Sequence, residues 1–137
     1  ILNKQPIKVF NNGRHSRDFT YVDDIVEGIL SVHNKPPEKN INWDSDNPNS
    51  SSSCAPYRVL NIGNNNPIKL EEFIKEIENN LGIEAQKEYL PLQDGDVPST
   101  YADTTLLQEL TGYTPQTSVK EGVRNFIDWY KLYHDIQ

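Results

Sequence analysis

The sequence contains no methionine and a single cysteine, Cys54. One thiol excludes an internal disulfide and suits a reducing, cytoplasmic setting. It lies in a serine-rich stretch without a nearby histidine, which argues against a catalytic thiol. No run of eighteen apolar residues occurs, and the N-terminus has no basic segment followed by an apolar one. A membrane span and a secretory signal are therefore unsupported. Positive charge is scarce: thirteen Lys and Arg against twenty acidic residues give a net charge of −7. That balance excludes a nucleic-acid domain built on Lys/Arg clusters, but a few arginines can still create a local anion site. The histidines, His15, His33 and His134, show no metal-ligand spacing with each other or with Cys54. Starting at Ile1, the chain is expected to be an excised piece of something longer, and residues 1–5 read as the tail of an earlier element.

What is present fits one domain of 137 residues. Ile7 to Phe10 reads as a short strand, and Asn11-Asn12-Gly13 as a turn, because Asn and Gly tolerate positive φ. The turn delivers Arg17 on an extended segment. A helix is expected after Tyr21, running to about Val32 or His33, with Ile25, Val26, Ile29, Leu30 and Val32 on one face that must be buried. Asp23 and Asp24 complement the positive end of its dipole, and capping outweighs catalysis as their reading. An extended arginine before a helix with an acidic first turn suits a phosphate site. An Arg-Asp pair such as Arg17-Asp18 is, however, more often a surface ion pair contributing about 0–1 kcal/mol than a ligand clamp.

Lys35-Pro36-Pro37 stops this helix, and residues 38–56 form a polar, Ser/Asn/Asp/Pro-rich exposed loop with Trp43 as its one large anchor. Tyr57 to Gly63 is expected as a strand. Over 69–81, Leu70, Phe73, Ile74, Ile77 and Leu81 share a helical face, with Glu71, Glu72, Lys75, Glu76 and Glu78 opposite and Gly82 as the stop. Ile83 to Leu90 reads as an edge strand. Pro91 to Pro98 is a turn in which Asp94-Gly95-Asp96 brings carboxylates near backbone N–H groups. It is a candidate site, although on local grounds a solvated turn with Asx hydrogen bonds is the commoner reading. Asp103 is expected to cap a short helix with Leu106, Leu107 and Leu110 inward, closed by Thr111 to Pro115. Ser118 and Glu121 have capping-box spacing, opening a last helix with Val119, Val123, Phe126, Ile127 and Tyr130 on one face. Trp129 and Tyr133 beside that stripe are read as packing. The fold class is thus α/β, an α+β-like small domain of short strands with about four helices.

Taken in order, Lys8-Val9-Phe10 with Gly13, Arg17-Asp18-Phe19-Thr20-Tyr21-Val22-Asp23-Asp24, Tyr57-Arg58-Val59-Leu60-Asn61-Ile62-Gly63-Asn64 and Gln93-Asp94-Gly95-Asp96-Val97-Pro98-Ser99-Thr100-Tyr101-Ala102-Asp103 closely resemble the C-terminal half of extended short-chain dehydrogenase/reductase nucleotide-sugar enzymes. The resemblance covers essentially the whole chain and points most narrowly to the UDP-glucuronate 4-epimerases. Their 4,6-dehydratase and UDP-hexose epimerase cousins share the Arg-Asp-Phe and Gly-Asp-Val motifs. The resemblance implies one substrate-binding domain over residues 1–137, lying beside an N-terminal Rossmann domain that this chain lacks. It further implies that Arg17 contacts the diphosphate, that Lys8, Val9 and Phe10 line the uracil and ribose, and that Asp96 accepts from a ribose hydroxyl. Where many relatives place a second phosphate-binding arginine, this chain has Gln93, which offers only a neutral hydrogen bond.

No G-x-x-G-x-x-G turn occurs, and none of the seven tyrosines is followed four residues later by lysine. Catalytic and cofactor-binding residues are therefore expected outside this chain, and the fragment alone should be inactive. The complete enzyme would use NAD to oxidise C4 of the sugar, let the keto intermediate rotate and return the hydride to its other face. It would act on carbohydrate for polysaccharide synthesis, with a UDP-sugar as ligand, a homodimer as its assembly, and no nucleic acid, membrane or metal. The different-class alternative is a non-catalytic interaction module using the acidic surface and the long loop.

Overall fold

A computed structural model describes residues 1–136. In chain order it has β1 (Ile7–Val9), a 3-10 turn (Phe10–Gly13), β2 (Ser16–Arg17), α1 (Val22–His33), β3 (Ile68–Lys69), α2 (Leu70–Leu81), β4 (Lys87–Tyr89), α3 (Thr105–Thr111) and α4 (Val119–Tyr133). Short strands and four helices match the α/β expectation. Strand β1 pairs in parallel with β4, Ile7 opposite Lys87 and Val9 opposite Tyr89. Strand β2 runs antiparallel to β3 and forms a parallel bridge on its other side, Ser16 to Ser99. Hydrogen bonds from Ser16 N–H to the Pro98 carbonyl (2.9 Å) and from Thr100 N–H to the Ser16 carbonyl (3.1 Å) fix that bridge. Arg17 thus stands on the middle one of three extended segments.

The path from β1 to β2 needs three consecutive residues at positive φ, Asn11 (52°), Asn12 (49°) and Gly13 (76°), which explains the Asn-Asn-Gly choice. Phe10 opens this turn and is not the last residue of the strand. A Cβ at Gly13 would meet only the flexible end of the Glu71 side chain, so its positive φ is what selects glycine there.

The core is small: Val9, Ile74, Leu107, Val123 and Ile127 are its buried apolar members, with α2 packed on α4 and α1 on α3. Helix α2 follows its apolar periodicity and ends on Gly82 in left-handed backbone (φ 67°). At α4, Ser118 Oγ accepts from the Glu121 N–H (3.2 Å), the N-cap half of the capping-box pattern. Residues 1–5 form no regular element; Lys4 N–H closes a turn onto the Ile1 carbonyl. Residues 38–56 are largely exposed, and their side-chain bonds are mostly internal, as in Trp43 Nε1 to the Asn49 carbonyl (3.4 Å).

Several expectations are corrected. The apolar face of α1 is covered only in part: Ile25 and Val32 are half-buried, Val26, Ile29 and Leu30 are exposed, and the fully buried positions are Asp24 and Gly28, one turn apart. Close packing selects this orientation, because a Cβ on Gly28 would come within 3.0 Å of Ile62 and 3.4 Å of Tyr113. Tyr57 to Gly63 is no strand. Among the described residues it finds no ladder partner, only an isolated bridge from Ser52 to Arg58. The strand expected over 83–90 shrinks to the three residues opposite β1. Glu78, placed on the polar face of α2, is buried. Thr104, not Asp103, occupies the N-cap of α3, with Asp103 Oδ1 accepting from Thr105 N–H (3.0 Å) and its hydroxyl (2.6 Å). These two bonds hold the Asp103 carboxyl below its usual range. Leu106 faces out. Trp129 and Tyr133 stack on each other at 5.4 Å, and both remain exposed.

Candidate functional site

An extended chain alternates its side chains, so residues two apart share a face. On the segment ending in β2 those residues are His15 and Arg17, and both reach Asp96. Arg17 Nη2 donates to Asp96 Oδ1 (3.0 Å), and Nη1 donates to the Ser16 carbonyl (3.0 Å). Asp96 Oδ1 also accepts the Val97 N–H (2.8 Å). Oδ2 lies 3.2 Å from His15 Nε2, outside hydrogen-bond alignment, so that nitrogen is buried without a bonded partner among the described residues. The Asp96 turn is closed by its own N–H to the Gln93 carbonyl (3.2 Å), with Gly95 at φ 82°.

The Arg17 side chain is 24% exposed, so its charge is neither buried in the core nor loose in water. A guanidinium has more donors than these two bonds use, and its planar fork matches paired anionic oxygens. The alternative Arg17–Asp18 ion pair does not form, and Arg17 turns to Asp96 instead.

Asp18 has a different task. Its carboxylate accepts backbone N–H groups from Asn65 (3.1 Å), Asn66 (3.3 Å) and Ala102 (3.1 Å), and its own N–H donates to Thr100 Oγ1 (3.3 Å). Gly63 lies against this joint, where a Cβ would clash with that of Ala102 and crowd the Asp18 carboxylate. Phe19 stacks on Phe73 at 3.9 Å. Thr20 Oγ1 accepts from Asn64 N–H (3.1 Å). Asp24 is buried and accepts from Gln116 N–H (3.2 Å) and Thr117 N–H (3.1 Å), while the Tyr113 hydroxyl donates to the Asp24 carbonyl (2.8 Å). Burial, reinforced by the Asp24 charge, pushes the Tyr113 hydroxyl up from its ordinary value. Within Arg17 to Asp24, then, Asp18, Phe19, Thr20 and Asp24 hold the fold together, and Arg17 retains N–H donors beyond the two bonds it makes.

The remaining candidates sit on the neighbouring β1–β4 pair. Lys8 is exposed and Phe10 half-buried, but the Val9 side chain is only 1% exposed and belongs to the core. Leu90 N–H donates to the Val9 carbonyl (3.0 Å), and the chain then runs directly into the turn bearing Gln93 and Asp96. Gln93 is exposed. The structure therefore joins Arg17 to Asp96 and lays the Lys8–Phe10 segment beside the strand that leads to them. Sequence reasoning missed His15, whose signal was its two-residue spacing from Arg17. An apolar groove of about 330 Å³, lined by Phe19, Tyr21, Phe73, Val123 and Phe126 among others, includes neither Arg17 nor Asp96.

The family described as GDP-mannose 4,6 dehydratase matches residues 1–126. The chain belongs to that family. Within it, the chain is 50% identical over 134 residues to Protein CapI of Staphylococcus aureus, covering 98% of this chain and 40% of that protein. It is 44% identical over 131 residues to a probable UDP-glucuronate 4-epimerase of Rhizobium meliloti, covering 95% and 38%. The crystal structure of UDP-glucuronic acid 4-epimerase from Bacillus cereus, in complex with UDP-glucuronic acid and NAD, superimposes with a TM-score of 0.74 at 25% identity, over 96% of this chain and 37% of that one. The chain thus spans about two-fifths of the length of these family relatives.

Proposed function

We propose that this chain is the nucleotide-sugar-binding part of a longer UDP-glucuronate 4-epimerase. The observation that carries the proposal is the Arg17–Asp96 couple, which sets a partly exposed guanidinium beside a carboxylate at the end of a tight turn. The two groups divide the recognition of a sugar nucleotide. Arg17 takes the diphosphate by charge-assisted, forked hydrogen bonds, and Asp96 accepts from a ribose hydroxyl. Lys8 and Phe10 border the base and ribose, Gln93 adds a neutral hydrogen bond, and the Val9 side chain takes no part. The names of the relatives support the UDP-glucuronate assignment.

The solved Bacillus cereus relative is a complex with NAD. The residues of this chain do not fit that group. Its left-handed glycines, Gly13, Gly82, Gly95 and Gly112, stand singly at a 3-10 turn, two helix C-termini and a surface turn, and none opens a helix N-terminus after a strand. Dinucleotide binding and the redox chemistry are therefore assigned to residues outside this chain, which itself grips and orients the sugar nucleotide. The exposed apolar side of α1, Val22, Val26, Ile29 and Leu30, is assigned to contact with that other part. The intact protein is expected to act in the cytoplasm, in polysaccharide synthesis.

Titration of the labelled chain with UDP and with uridine tests the site. UDP should bind weakly and move the resonances of Phe10, Arg17 and Asp96, and uridine should bind more weakly still. No change near these residues at millimolar UDP overturns the proposal. Assay of the intact enzyme on UDP-glucuronate and UDP-galactose in parallel tests the sugar, and a preference for UDP-galactose overturns the glucuronate assignment.

A further inference from the structure

The least explained group beside the candidate site is His15. Its ring is 6% exposed, and Nε2 lies 3.2 Å from Asp96 Oδ2 without the alignment of a hydrogen bond. An unsatisfied buried ring nitrogen is costly, so a position this close to an acceptor calls for a reason. The other carboxylate oxygen is already engaged by Arg17 Nη2 and the Val97 N–H. The terminal torsion of an aspartate is soft. A modest turn of the carboxylate would align Oδ2 with Nε2 and at the same time loosen Oδ1 from Arg17.

We propose that His15 is a positioning residue for the nucleotide-sugar site: it takes hold of Asp96 when Arg17 is drawn to the diphosphate. The inference rests on the assignment of Arg17 and Asp96 given above. Without His15, pulling the guanidinium toward phosphate leaves Asp96 with the Val97 N–H alone and free to swing away from a ribose hydroxyl. With it, the Nε2–H replaces the bond that Arg17 gives up, and the carboxylate stays aimed. The anionic ligand and His15 thereby exchange places as partners of Arg17 and Asp96, and no net hydrogen bond is lost.

The test uses the whole chain and UDP as probe. His15→Phe keeps the ring volume without a donor and should weaken UDP binding about three- to tenfold, the value of one hydrogen bond. His15→Gln restores an N–H near the same position and should stay within about twofold of the wild type. In nitrogen-15 spectra, His15 should carry its proton on Nε2, and saturating UDP should move that resonance toward a stronger hydrogen bond. Asp96→Asn should abolish the movement. UDP affinity in His15→Phe within about twofold of wild type, or a His15 resonance that ignores both UDP and Asp96→Asn, overturns the proposal. If His15→Phe fails to fold, the histidine resonance decides alone. Arg17→Ala separates the two ideas. If it weakens UDP binding while His15→Phe does not, only the positioning role fails; if UDP binding survives Arg17→Ala unchanged, the site assignment itself fails.

Discussion

Glu78 offers the most quantitative stability test in this chain. It is buried on α2, where Oε1 accepts from Lys87 Nζ (2.9 Å) and Ala85 N–H (3.0 Å), and Oε2 lies 3.3 Å from Lys75 Nζ. The Lys87 hydrogen bond first, then the Ala85 N–H, hold its carboxyl down at about 2 against an ordinary 4.5, outweighing the opposing effect of burial. The same bond raises Lys87. A carboxyl whose folded pKa is depressed favours the folded state above its unfolded pKa, because the unfolded chain takes up the proton first on acidification. The stabilisation is therefore complete above about 4.5 and is lost as pH falls through about 2. Linkage across that interval gives on the order of 3 kcal/mol at pH 7, and roughly half of it or less at pH 3. Urea unfolding of the wild type and Glu78→Gln at both pH values measures this directly. Gln keeps the volume and an acceptor but leaves Lys87 without its counter-charge. The stability gap between the two chains should shrink by more than half from pH 7 to pH 3. A gap that does not depend on pH refutes the ion-pair account and leaves packing as the cause.

Two substitutions probe the joint behind Arg17. Asp18→Asn replaces a carboxylate that collects three backbone N–H groups with an amide that can serve fewer, and should cost about 2–4 kcal/mol in urea unfolding. Gly63→Ala forces a methyl against Ala102 and should cost about 1–3 kcal/mol, with resonance shifts concentrated around Asp18 and Ala102.

The sequence was most legible where local chemistry decides. Asn11-Asn12-Gly13 turns because three residues tolerate positive φ, Gly82 ends α2, and Ser118 caps α4. Helix α2 obeys its periodicity because α4 covers its apolar face within this chain. Helix α1 has an equally clear apolar stripe, but the described residues leave Val26, Ile29 and Leu30 of it exposed, and the packing of Gly28 and the bonds of Asp24 turn it partly away. Tyr57 to Gly63 has strand-like residues without a neighbouring edge, and a ladder cannot be read from one strand alone. Glu78 looked solvent-facing because helical spacing does not reveal that Lys87, nine residues on, folds back to meet it. At the candidate site, resemblance singled out Arg17 and Asp96, seventy-nine residues apart, and the fold brings them within hydrogen-bond distance. Adjacency in sequence could not decide whether Arg17 pairs with Asp18, because neighbouring side chains of an extended chain point to opposite faces.

The most direct measurement is a crystal structure of this chain with UDP. The diphosphate should lie within hydrogen-bond reach of the Arg17 guanidinium, with a ribose hydroxyl on the carboxylate of Asp96. A well-ordered nucleotide whose phosphates bind elsewhere, with Arg17 still paired only to Asp96, would contradict the account.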